Sequence, residues 1–139
     1  MENNTTICWV VALKPEASEI IVKYSMSLID ENGLFPIFSD VSFKYWLVVS
    51  GVGQINCVAA TVYLREKSES NPWTAWVNIG IAGSGNGNYG DLYLIDKVTN
   101  YSNSKNEYPS VILSSNIARS NLLTVDIPST DYNKNYLID

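Results

Sequence analysis

Histidine is absent from the 139 residues. That excludes a serine–histidine–aspartate triad, a cysteine–histidine pair and the usual histidine-bearing zinc sites. Chemistry must rest on carboxylates, backbone dipoles and bound water. Basic residues are scarce: Lys and Arg total 9 against 14 Asp and Glu, giving a net charge of −5 and a pI near 4.6. Nucleic acid and anionic membrane surfaces both need a basic face, so neither is an expected partner. Cys8 and Cys57 form no C-x-x-C pair and read as small buried apolar residues. No apolar run approaches membrane-spanning length. The stretch from Ile7 to Leu13 is halted by Lys14 and lacks a cationic region before it, so no signal peptide is expected. The composition points to a cytoplasmic protein.

What is present describes a folded chain. A hydrophobic content of 46% with 17% charged residues fits one globular domain, 1–139, with a sizeable core. Ile7 to Ala12 is a continuous apolar run, suited to a strand buried on both faces. Pro15 sits where a helix would start. Ala17, Ile20, Ile21, Tyr24 and Leu28 then form an apolar stripe, which predicts a helix ending near Gly33. Leu34 to Ser39 reads as a short strand placed at a sheet edge by Pro36. Phe43 to Ser50 is a stronger strand. A second helix follows, with Ile55, Val58, Ala59 and Val62 on one face and its end near Lys67-Ser68. Ala75 to Ile79 and Leu92 to Val98 are further strands. Asn100 to Tyr108 is a polar surface loop. Val111 to Leu113 and Leu122 to Val125 are short strands joined by a polar link at 116–121, and Pro128 to Asn135 is another loop. Tyr136 to Ile138 begins a last strand. Strands alternating with helices predict the α/β class.

Two glycine-rich loops leave apolar strands. One is Ser50-Gly51-Val52-Gly53. The other runs from Gly80 through Gly83, Gly85 and Gly87 to Gly90. Glycine lets the backbone take positive φ and lets a ligand approach main-chain N–H groups. In open α/β sheets, ligands bind at the carboxyl ends of strands, where such loops sit. The plain alternative is a turn that only connects strand to helix. Gly51-x-Gly53 lacks the third glycine of a dinucleotide fingerprint, since Asn56 stands there. A P-loop is excluded because no Gly-Lys-Ser/Thr triplet follows either loop. Glu16, in the first helical turn just past the first strand, is a candidate general base. The helix dipole favours a carboxylate there, and an ionised carboxylate can orient a water and accept its proton. An ordinary helix-starting glutamate is the simpler reading, and Glu19 is a competing carboxylate deeper in the helix.

Four segments in order carry a family resemblance. They are Val11-Ala12-Leu13-Lys14-Pro15-Glu16-Ala17, Ser50-Gly51-Val52-Gly53-Gln54-Ile55-Asn56, Asn78-Ile79-Gly80-Ile81-Ala82-Gly83 with Gly90-Asp91, and Leu123-Thr124-Val125-Asp126-Ile127-Pro128 ending at Leu137-Ile138-Asp139. Together they resemble the nucleoside phosphorylase superfamily, in particular its methylthioadenosine/adenosylhomocysteine nucleosidase branch. The resemblance implies a single three-layer α/β domain with a mixed central sheet, phosphorylase/hydrolase-like and incomplete at the C-terminus. It also implies cleavage of the N-glycosidic bond of a purine nucleoside, with no metal or organic cofactor. Glu16 matches the carboxylate that holds the attacking water. Gly51, Val52 and Gly53 would lie beside it, and Ala82 and Gly83 would line the ribose and base pocket. Ile81 departs from the small polar residue common in that family. The family's Met-Glu would follow Asp139, so the residues gripping the ribose and protonating the purine are expected beyond it, and the chain alone is expected to be weakly active at best.

Phosphate recognition favours arginine forks. Arg65 and Arg119 flank neither glycine loop, so the reading leans to hydrolysis, with phosphate as the alternative attacking group. The sequence leaves open which nucleoside is used and whether the chain pairs as a homodimer. The competing reading is a non-catalytic nucleoside-binding module or decayed enzyme. A flavodoxin-like domain, marked by bound flavin, is a third.

Overall fold

The structure is a computed structural model, and it describes residues 5–126 and 136–139. The α/β class expected from the sequence is the class found. The strands are shared between two five-stranded mixed sheets, and the chain divides into two compact units, Met1–Gly80 and Ile81–Asp139.

In the first unit, strand β1 (Ile7–Val11) lies between β4 (Tyr45–Val49) and β5 (Ala75–Ile79), parallel to both. Strands β2 (Ser27–Asp30) and β3 (Ile37–Ser39) complete the sheet in the order β2-β3-β4-β1-β5, each antiparallel to its neighbours among β2, β3 and β4. As the apolar run predicts, β1 is buried on both faces. Cys8 and Val10 pack with Ile37, Trp46 and Val48 against Ala60 and Leu64 of helix α2 (Gln54–Lys67). Trp9 and Val11 pack with Phe38 and Leu47 against Ala17 of helix α1 (Lys14–Lys23). Alternate side chains of a strand point to opposite faces, so one short strand anchors a helix on each side. The rings of Trp9, Tyr24 and Tyr45 close the α1 face, with centroids 4.4–5.8 Å apart.

Several expectations are corrected here. Helix α1 ends at Lys23 and does not reach Gly33. The Ser25 N–H bonds to the Val22 carbonyl at 3.1 Å and the Met26 N–H to that of Ile21 at 2.9 Å, with Ser25 at φ +50°. This is a Schellman termination built on a serine where glycine is usual. Leu28 therefore lies in β2. Pro36 does not place β3 at an edge: it precedes the strand, its carbonyl accepts from Val49 N–H at 3.1 Å, and β2 takes the edge. Helix α2 ends where expected, but the apolar face read from the sequence is not the one that packs on the sheet. Ile55, Val58 and Val62 are 86%, 64% and 56% exposed, while Ala60 and Leu64 are fully buried with Cys57 beside them. The helix carries two apolar stripes, and the sheet takes the one whose small residues permit close approach.

In the second unit the order is β6 (Gly83–Ser84), β10 (Leu137–Ile138), β9 (Ala118–Thr124), β7 (Tyr93–Asn100) and β8 (Asn106–Glu107). Strands β7, β9 and β10 are mutually parallel, whereas β6 and β8 are antiparallel to their neighbours. The expected last strand is present, with Leu137 and Ile138 both buried. Val111 to Leu113 is exposed coil, contrary to expectation, and the expected polar link from 116 is strand from Ala118 onward. A pair of residues in the expected loop, Asn106 and Glu107, forms β8 against Val98 and Thr99. The expected loop from Pro128 to Asn135 lies outside the described residues, as does Ile127.

Candidate functional site at the carboxyl edge of the parallel strands

In the first unit, the carboxyl ends of the adjacent strands β1 and β4 lead at one sheet edge into the first turn of α1, which holds Glu16, and into the loop Gly51-Val52-Gly53. Beyond the strands the β1–β4 pairing continues for two more bonds. Ser50 N–H donates to the Val11 carbonyl at 2.8 Å and Gly51 N–H to the Ala12 carbonyl at 3.0 Å. The loop is thus fixed to the segment that leads into α1 and Glu16. Ser50 is buried, and its hydroxyl donates to the Gly51 carbonyl at 2.8 Å. Gly51 sits at φ +78° and Gly53 at φ +104°, ψ 149°, backbone that side-chain-bearing residues rarely adopt. Gly53 is the N-cap of α2 and carries no side-chain cap.

Glu16 is half-buried in the first turn of α1, as expected. Its Oε2 accepts the Leu13 N–H at 2.9 Å, the backward half of a capping box. Leucine has no side-chain acceptor to complete the box, and the Ser18 hydroxyl adds a bond to the Pro15 carbonyl at 2.8 Å in the same turn. The bond from Leu13 N–H also fixes the carboxylate's direction. Glu19, the competing carboxylate, is exposed.

Ala82 and Gly83 belong to the second unit. Gly83 opens β6 and pairs with Ile138, and Ala82 is half-buried just before it. The glycine loop that follows is shaped by Ser84, whose hydroxyl accepts the Gly87 N–H at 2.8 Å and the Asn86 N–H at 3.3 Å. A Cβ on Gly87 would meet that hydroxyl at 2.9 Å, which is why glycine is needed there. Asp91 closes the Gly90 turn by accepting from Asn88 N–H at 2.8 Å.

The arginines lie away from the first unit's carboxyl edge or are already paired. Arg65 is near the far end of α2, about 16 Å along the axis from Gln54 at 1.5 Å per residue. Arg119, in the second unit, forms an ion pair with Asp96 and donates to the Leu113 carbonyl at 3.2 Å. Two concavities of the first unit lie at the opposite, amino edge of the sheet. One, of about 260 Å³, is lined by Thr5, Thr6, Phe43 and Lys44. The other, of about 390 Å³, is lined by Thr61, Arg65, Asn71 and Trp76. Neither includes Glu16 or the glycine loop. The carboxyl edge remains the better candidate, because loops there meet main-chain donors and a carboxylate.

Sequence reading has Asn56 only as the residue in place of a third glycine and missed its bond: its side-chain amide donates to the Val52 carbonyl at 2.8 Å. Its spacing of four residues from Val52 across the helix start was the signal available.

With this geometry in view, the likeness to solved structures takes on meaning. A methylthioadenosine/S-adenosylhomocysteine nucleosidase (MTAN) from Chlamydia trachomatis superimposes with a TM-score of 0.71 at 21% identity. The match covers 97% of this chain and 68% of that one. The Campylobacter jejuni MTAN matches with a TM-score of 0.68 at 15% identity, over 91% of this chain and 67% of that one. A futalosine hydrolase mutant from Helicobacter pylori gives 0.68 at 12% identity, over 97% and 78%. This chain has the nucleosidase fold. The Chlamydia MTAN has been solved bound to MTA and bound to adenine. The sequence matches no family model and no curated protein. In the nucleosidase fold of this chain, Glu16 and the Gly51–Gly53 loop occupy one sheet edge of the first unit.

Proposed function

We propose that this protein hydrolyses the N-glycosidic bond of a purine nucleoside, with an adenine nucleoside such as methylthioadenosine as substrate. The observation that supports the reading is that α1's first turn, with Glu16, and the Gly51-Val52-Gly53 loop follow strands ending at one sheet edge, joined by the bond from Gly51 N–H to the Ala12 carbonyl, on a fold shared with MTAN. Glu16 holds a water and accepts its proton as the water oxygen attacks the anomeric carbon. The C1′–N bond breaks with its electron pair going to the purine, which takes a proton from solvent water, and Glu16 returns to solvent the proton it accepted. Loop N–H groups face the substrate. Water is favoured over phosphate as the attacking group because no arginine of the first unit stands near Glu16 or the loop. General base help from a placed carboxylate is worth about 10²–10⁴-fold.

One observation favours a second reading. Glu16 Oε2 is already engaged with the Leu13 N–H, so the carboxylate serves the helix start whether or not it serves catalysis. On that reading the protein binds nucleosides without cleaving them.

The test is adenine release from methylthioadenosine, followed by chromatography with and without phosphate, beside equilibrium binding of adenine. Release that does not depend on phosphate supports hydrolysis. Binding without release supports the binding module. Neither binding nor release rejects both readings.

A further inference from the structure

We propose that Asn56 is a positioning residue, which holds the glycine loop so that its N–H groups face the substrate. The inference rests on the reading of that loop as substrate-lining. Two successive peptides of the loop are held by their carbonyls: that of Gly51 accepts from the Ser50 hydroxyl, and that of Val52 from the Asn56 amide. A trans peptide is planar, with its carbonyl and N–H pointing oppositely. Pinning the Gly51 carbonyl therefore turns the Val52 N–H away from Ser50, and pinning the Val52 carbonyl turns the Gly53 N–H away from Asn56. Neither N–H donates to another of the described residues.

The restraint is needed because Gly51 and Gly53 are at positive φ, where glycine has wide freedom and little else resists a peptide flip. Asn56 is the third residue of α2, within the helix's first turn, so its own backbone is fixed. The side chain also lies close to Gly51: a Cβ built there would sit 3.6 Å from the Asn56 amide nitrogen. Only the amide NH₂ can face a carbonyl, so the contact specifies asparagine over aspartate.

That difference separates positioning from ordinary helix support. Aspartate in the first turn is favoured by the helix dipole, so Asn56→Asp should leave the melting temperature equal to or above that of the wild type. At neutral pH its carboxylate cannot donate, and it repels the Val52 carbonyl. Asn56→Ala removes the donor without adding repulsion. The experiment compares wild type, Asn56→Asp and Asn56→Ala by thermal melting, by amide hydrogen exchange and ¹⁵N resonance of Gly53, and by binding of methylthioadenosine. The expected result for Asn56→Asp is an undiminished melting temperature, a shifted and faster-exchanging Gly53 amide, and affinity lowered about tenfold, the scale of one lost hydrogen bond. Asn56→Ala should lose less affinity.

Wild-type affinity in Asn56→Asp would overturn the proposal. So would a loss of affinity accompanied by equal loss of melting temperature in both variants. If the wild-type protein binds no nucleoside, the nucleosidase reading fails. The loop restraint is then decided by the Gly53 amide alone: an unchanged resonance in Asn56→Asp rejects it, and a shift with faster exchange supports it.

Discussion

The Tyr63 hydroxyl donates to Asp30 Oδ2 at 2.6 Å, tying the edge strand β2 to helix α2 across 33 residues of sequence. Lys67 adds an ion pair to the same oxygen at 3.1 Å. Gly33 packs so close that any Cβ there would overlap both the Asp30 carboxylate and the Tyr63 hydroxyl. The glycine that reads in sequence as a helix cap is instead the gap through which this pair forms. Gly33→Ala should therefore lower the melting temperature more than Tyr63→Phe, because it displaces both partners. The comparison is a pair of thermal melts, and equal losses would show that Gly33 does not hold the contact open.

The same pair has a pH signature. Hydrogen bonding from Tyr63, then from Lys67, holds the Asp30 carboxyl below its usual range. A depressed carboxylate contributes stability above its unfolded pKa, about 3.9, and loses it as pH falls through the folded value. The difference in melting temperature between wild type and Asp30→Asn should be constant near neutrality and close as pH falls below about 4. A gap that persists in acid would mean that the charge of Asp30 contributes nothing.

Helix α2 offers a direct test of which stripe is core. Leu64 is fully buried between the helix and the sheet, whereas Ile55 is 86% exposed. Leu64→Ala should destabilise by about 2–5 kcal/mol through lost contacts and a cavity. Ile55→Ala should stay within about 0.5 kcal/mol. Chemical denaturation of both variants gives the ranking, and the reverse order would overturn the packing described for α2.

For Glu16, structure and chemistry make separable demands. Glu16→Gln keeps a side-chain oxygen able to accept from Leu13 N–H, so the fold should hold to within about 1 kcal/mol. If Glu16 is also the general base, adenine release should fall by about 10²–10⁴-fold in the same variant. Matched rates for Glu16→Gln and wild type would leave Glu16 with its capping role alone.

Cys8 is buried on the α2 side of β1, and burial pushes its thiol up to about 11. The thiolate is the reactive form, so native protein at pH 8 should leave Cys8 unalkylated by iodoacetamide. The same reagent should label it in urea. Peptide mass mapping reads both, and rapid native labelling would show that β1 opens.

Local patterns told much of this in advance. The six-residue apolar run at Ile7 can be satisfied only by a strand covered on both sides, and it is. The positive-φ glycines after β4 and the carboxylate after β1 mark the candidate edge by chemistry that the sequence carries on its face. What misled were signals with two solutions. The stripe from Ala17 to Leu28 continues at helical spacing through Ser25, and only the bonds to Ile21 and Val22 show the helix stopping. Helix α2 has two apolar stripes, and periodicity does not choose between them. Asn56 was legible as a missing third glycine but not as a clamp, because its partner is a backbone carbonyl.

By itself, then, the sequence determined the α/β class, the buried central strand, the two glycine loops and the exclusion of histidine chemistry. These depend on composition and on contacts between near neighbours. The tertiary structure alone decided the division of strands into two sheets, the buried face of α2, the place of β2 and the close approach at Gly33. Each of those turns on distant segments competing for the same surface, and that competition is settled by packing volume and hydrogen-bond partners rather than by local preference.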